Sequence, residues 1–198
     1  WVFVDADEGE GPVHVTDDMP GDPTAISSAV CFGMPSMTPE VWREDVARCK
    51  AGLGEGQMLI VSVVASPEPG WSAAQVADDY AQCASWATEA GADVIEANFS
   101  CPNVCSAEGQ VYLDATLSGD VSATIRSAIG ETPLLLKVGT FPDEDSMRGF
   151  LRAVSRLADG MTLVNGIARP VLHRDGRPAF GEDYVQAGVL GRIIHEPS

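Results

Sequence analysis

Apolar runs recur along this chain at residues 58–65, 92–100, 133–139 and 161–167, and an amphipathic pattern follows each of the first three. Their spacing exceeds about 30 residues, which is the length of a parallel βαβ unit, because a crossover must carry the chain back to the starting end of the sheet. Two α/β architectures satisfy that constraint: a doubly wound sheet and a (β/α)8 TIM barrel. A complete barrel takes about 250 residues, and the chain has 198. As a barrel it is therefore incomplete, holding central βα units.

The helices are marked by their ends. Ser72-x-x-Gln75 forms a capping box ahead of an apolar face of Val76, Tyr80, Cys83, Ala84 and Ala87, and Gly91 stops that helix. A second face carries Leu117, Val121, Ile125 and Ala128. A third carries Met147, Phe150, Leu151, Val154 and Leu157 and ends at Gly160. Upstream, Thr38-Pro39 opens a helix with Trp42, Val46, Cys49 and Leu53 inward, Pro at the first helical position needing no amide partner. After Ile167 the chain reads as a long loop, with turns at Asp175-Gly176 and Pro178. No linker interrupts it, so residues 1–198 read as one partial barrel domain.

A net charge of −17 argues against a polyanion-binding surface, so neither nucleic acid nor anionic membrane is an expected partner. No apolar run approaches the roughly 20 residues of a membrane span. Five cysteines form an odd set without regular spacing, which points to reduced thiols and a cytoplasmic setting. Cys31, Cys49 and Cys83 are expected in core packing. The chain begins at Trp1 with no signal-peptide pattern and reads as an excerpt. No metal site is expected: Cys101 and Cys105 form a CxxxC pair with no second cluster.

The residues with the most chemistry are Asn98-Phe99-Ser100-Cys101-Pro102-Asn103-Val104, which close the second apolar run. In parallel sheets the C-terminal strand ends are where side chains meet ligand. Cys101 is either a proton acceptor flanked by the hydrogen-bonding groups of Asn98, Ser100 and Asn103, or a buried thiol before a turning Pro. Lys137 ends the Leu134-Leu135-Leu136 run and is one of two lysines in the chain, with Lys50. A buried ammonium needs an anionic or electron-rich partner. That partner is a ligand, or else Glu96 or Asp93. Asn165-Gly166 follows the fourth run as a strand-end ligand group or a turn. Gly52 to Gly56 precede a strand and read as a connector rather than a phosphate loop.

The heptapeptide resembles the NxSCPN signature of dihydroorotate dehydrogenases, specifically the cytosolic class that uses Cys as base. The resemblance extends over roughly residues 25–195. It implies an incomplete (β/α)8 barrel and an FMN-dependent oxidoreductase of pyrimidine biosynthesis. In that reading Cys101 takes a proton from C5 of dihydroorotate, and hydride passes from C6 to FMN. It further implies that Asn98, Asn103 and Asn165, with Gly33 and Met34 of a substrate loop, hold the pyrimidine. Lys137, Ser62, Ser100, Gly188 and Gly191 are implied at the flavin. A homodimer is compatible with the resemblance. Val30 and Ser36 stand where the family's substrate loop has Asn, which leaves a related oxidoreductase acting on another pyrimidine or cyclic imide as the alternative. A barrel remnant without catalysis is the reading from a different class.

Overall fold

The computed structural model describes residues 2–5, 11–31, 36–101 and 110–195. In chain order the elements are β1 (Val2–Asp5), β2 (Val13–Val15), β3 (Ser27–Val30), α1 (Pro39–Ala51), β4 (Ile60–Val63), α2 (Ala73–Glu89), β5 (Val94–Asn98), α3 (Ala115–Ile129), β6 (Leu134–Lys137), α4 (Glu144–Val154), β7 (Gly160–Thr162), β8 (Ile167–Leu172) and β9 (Gln186–Gly191). Among the described residues no helix is long and apolar enough to cross a membrane. The chain divides into two compact units. One joins Trp1–Pro35 to Val164–Ser198, and the other is Ser36–Leu163.

The Ser36–Leu163 unit is a parallel sheet whose strand order, β4-β5-β6-β7, follows the chain. Crossovers of one hand then put every helix on the same face. Val63, Ile95, Ala97, Leu134, Leu136 and Val138 point to that face and share one core with Val76, Tyr80 and Ala84 of α2, Leu117, Val121 and Ile125 of α3, and Phe150 and Val154 of α4. The expected capping box of Ser72 and Gln75 is present; Asp114 caps α3 and Asp143 caps α4, and α4 ends at Val154, short of the expected Gly160, which opens β7. Because side chains alternate along a strand, Ser62, Glu96, Asn98, Leu135, Lys137 and Thr162 share the opposite, helix-free face. The pairings Ser62 with Glu96, Asn98 with Lys137 and Lys137 with Thr162 fix that register.

Winding on one face is how a barrel wall is built, and it separates this sheet from a doubly wound one. The described structure nevertheless contains no (β/α)8 barrel, and that expectation holds only for the run of βα units. The closed barrel that is present belongs to the other unit. It is small and five-stranded, in the order β1-β2-β8-β9-β3. β2 and β8 are parallel and the other pairs antiparallel. Val4, Val13, Ala29, Val171, Ala187 and Val189 are among the residues that fill its interior.

Five expectations are corrected. The expected loop after Ile167 contains two six-residue strands, β8 and β9. The run at 161–167 is split, since β7 stops at Thr162 and Ile167 opens β8, with Asn165-Gly166 in the connection. Cys49 is exposed: no residue of α1 is fully buried, and the helix leans on the rest through Trp42, which meets Trp86 at 6.3 Å between ring centroids. On α3 Ile129 takes the buried position expected of Ala128, and on α4 Met147 lies at the exposed rim.

Candidate active site

The end of β5 is tied down from both sides. The Tyr80 hydroxyl of α2 donates to the Asn98 carbonyl at 2.8 Å. The Phe99 amide donates to the Lys137 carbonyl at 2.9 Å, and the Phe99 carbonyl accepts from the Tyr112 amide at 3.3 Å. Tyr112 in turn donates its hydroxyl to the Thr140 carbonyl at 2.8 Å. Segment 110–113 is thereby fastened to the ends of β5 and β6, so the chain leaves at Cys101 and returns to a fixed point.

Asn98 is 7% exposed. Its Oδ1 accepts from the Ser100 amide at 3.3 Å and the Ser100 hydroxyl at 3.0 Å. Among the described residues its Nδ2 donates to nothing, which leaves a nearly buried amide donor on the helix-free face. Cys101 is 3% exposed and joins the core cluster that contains Tyr80 and Phe99. Burial, and then the charge a Cys101 thiolate would carry, push the Tyr80 phenol upward. Tyr80 is therefore a neutral donor near neutral pH.

Lys137 lies beside Asn98 on the same face and pairs with Glu96 at 2.9 Å, the two side chains being 21% and 13% exposed. Glu96 also accepts from the Ser62 hydroxyl at 2.7 Å and the Thr162 hydroxyl at 2.8 Å. Lys137 makes a longer contact of 3.3 Å to the Ser62 hydroxyl. Burial pushes the Glu96 carboxyl up, but the hydrogen bonds from Ser62, Lys137 and Thr162 and the Lys137 charge outweigh it and hold the group below the usual range. Of the two partners the sequence offered for Lys137, the structure chooses Glu96. Asp93 takes Lys50 instead, at 2.5 Å.

The expected site residues thus fall into three groups. Ser62, Asn98, Ser100 and Lys137 come together at the ends of β4, β5 and β6, and Cys101, three residues beyond Asn98, is buried in the core cluster with Tyr80 and Phe99. Asn103, Gly33, Met34 and Cys105 lie outside the described residues. Asn165, Gly188 and Gly191 belong to the five-stranded barrel unit. There the Asn165 Oδ1 accepts the Gly166 amide at 2.9 Å, a turn-type contact. Gly191 has φ 92°, and a Cβ on it would collide with the Ile26 carbonyl oxygen. The close approach of β9 to β3 therefore accounts for this glycine without any ligand. Gly188 meets Val30 at ordinary contact distance.

Sequence reasoning missed Thr162 and Tyr80, and it treated Glu96 merely as an ion-pair partner. A carboxylate within the apolar Val94-Ile95-Glu96-Ala97 run was the available signal, since such a group requires partners on adjacent strands.

No protein-family model matches the chain. It is 30% identical over 196 residues to the dihydroorotate dehydrogenase of Dictyostelium discoideum. The alignment takes in 97% of this chain and 52% of that protein, so the chain spans about half the length of the relative it matches.

Proposed function

We propose that the chain belongs to the dihydroorotate dehydrogenase family, in the cytosolic class with a Cys base, and forms part of a flavin-dependent oxidoreductase of pyrimidine biosynthesis. The observation that carries the reading is a thiol 3% exposed, three residues beyond a nearly buried Asn98 whose amide donor has no partner among the described residues, at the C-terminal end of a parallel strand. The similarity to the Dictyostelium enzyme and the NxSCPN signature support it. So does the one-sided winding of β4 to β7, which suits a sector of a (β/α)8 barrel.

The helix-free face fits a planar polar cofactor. It presents the Asn98 amide donor beside the Lys137 ammonium, with hydroxyls on the strands to either side. FMN, when bound, would supply the hydride acceptor. In this reading Lys137, Ser62 and Ser100 contact the flavin. Asn98 holds the pyrimidine through its amide donor. Cys101, as thiolate, takes the C5 proton while C6 gives up hydride, and the C5–C6 double bond of the product forms. Carboxamide sites reject analogues lacking the matching groups by large factors. Val30 and Ser36, which replace family carboxamides, therefore favour a second reading in which another pyrimidine or cyclic imide is oxidised by the same chemistry.

The test uses the protein at its full natural length. A bound flavin absorption band that bleaches anaerobically on adding dihydroorotate supports the assignment. Bleaching by a different dihydropyrimidine or cyclic imide, with none by dihydroorotate, establishes the second reading. A colourless protein that does not take up FMN overturns both.

A further inference from the structure

Glu96 accepts hydrogen bonds from three separate strands. Ser62 comes from β4, Lys137 from β6 and Thr162 from β7, at 2.7, 2.9 and 2.8 Å. The bond to Thr162 reaches past β6, a span of two strand spacings of about 4.8 Å each. Oε1 serves Ser62 and Lys137 and Oε2 serves Thr162, so both carboxylate oxygens are held and the group cannot rotate without breaking a bond. Such a carboxylate fixes the ammonium that rests on it.

We propose that Glu96 is the positioning and charge-setting residue for Lys137, holding the ammonium in place beside Asn98 and cancelling its charge toward whatever lies on the helix-free face. The inference rests on the reading of this face as a flavin site. Lys137 has three N–H donors. Glu96 takes one and Ser62 makes a longer contact of 3.3 Å with another, so a donor remains for a ligand. With Glu96 ionised the pair is neutral, and a ligand gaining negative charge meets an oriented donor rather than a full cation. A role confined to satisfying a buried lysine would need one bond to the carboxylate, not a clamp drawn from every strand of the sheet.

Glu96→Gln keeps the shape and removes the charge; Glu96→Asp keeps the charge and shortens the arm. The dissociation constants of oxidised and of reduced FMN are measured for the full-length protein and for both variants. Removing a fixed negative charge within a few ångströms of an anionic ligand should strengthen binding of the reduced form relative to the oxidised form, about tenfold at least in Glu96→Gln. Glu96→Asp should leave that ratio within about twofold of wild type, even where both affinities fall. Thr162→Val, which retains Glu96 and loosens its clamp, covers the case of a Glu96→Gln variant that does not fold. It should weaken both forms together at an unchanged ratio. An unchanged ratio in Glu96→Gln, or a ratio displaced equally in Glu96→Asp, overturns the inference and leaves the flavin reading standing. Wild-type protein that binds neither form overturns the flavin reading and the inference with it.

Discussion

Tyr80 and Phe99 meet edge to face, with ring centroids 5.5 Å apart and an interplanar angle of 73°, and the same tyrosine donates to the carbonyl of Asn98 immediately before that phenylalanine. One side chain of α2 thus fixes both the backbone and the ring that precede Cys101. Tyr80→Phe would keep the ring contact and strand the Asn98 carbonyl. It should cost about 1–3 kcal/mol, the range for a buried hydrogen-bonding group left unpaired. Urea denaturation followed by circular dichroism measures it, and a variant as stable as wild type would show that the strand end is held by packing alone.

Acid should loosen the parallel sheet. The Leu134 amide, offset in part by burial and then reinforced by Arg126, holds the Asp159 carboxyl below its usual range. Lys50 and the Leu59 amide do the same for Asp93. A folded-state value below the unfolded one, which lies near about 3.9, means stability that is present above that value and lost as pH falls through the folded one. Asp159→Asn should therefore be less stable than wild type at pH 7, with the difference shrinking below about pH 4. Denaturant midpoints across that interval test the sign. A gap that widens in acid would contradict it.

Gly191→Ala should be among the most damaging small substitutions in the chain. The added methyl would press on the Ile26 carbonyl, and the backbone is already at positive φ. Neither neighbour is the free end of a side chain. A loss of about 2 kcal/mol or more is expected, from strain on φ and steric overlap together. Gly188→Ala, with only ordinary contacts around it, should be tolerated far better. Thermal melts of the two variants side by side give the comparison.

On the proposed flavin reading, Cys101→Ala in the full-length protein should preserve bound flavin while slowing flavin reduction at least about 100-fold, the lower end for a lost general base. Cys101→Ser should retain slight activity displaced to higher pH, because a hydroxyl is a weaker acid than a thiol. Stopped-flow reduction across pH reads both. Wild-type rates in the alanine variant would leave Cys101 with a packing role in the cluster it shares with Tyr80.

Much of the Ser36–Leu163 unit was legible because its signals are local. The Ser72–Gln75 box, Pro39 at a helix start and three of the apolar runs each specify an element within a few residues. The small barrel was not legible, for the opposite reason. β8 contains Pro170, β9 contains Gly188 and Gly191, and β3 and β9 pair with each other from opposite ends of the described chain. Within the site, the scarcity of lysine made Lys137 visible before its partner was known. Thr162 and Tyr80 gave no such sign, since a threonine on a strand and an aromatic on an apolar helix face look the same whether or not they hold something.

The Ile193 amide donates to the Ser27 hydroxyl at a sequence separation of 166, and β3 pairs with β9 across a comparable stretch of chain. The sheet of β4 to β7 needs no such wait, since each strand finds the next one helix away. Loop-closure entropy must be met before contacts that remote return any stabilisation. The two units should accordingly assemble on separate clocks, the inner segment first and the barrel made from its flanks second. During synthesis β1 to β3 remain unpaired with β8 and β9 until the chain beyond Ile167 has been made. For that interval their free edges are the chain's exposure to misassembly.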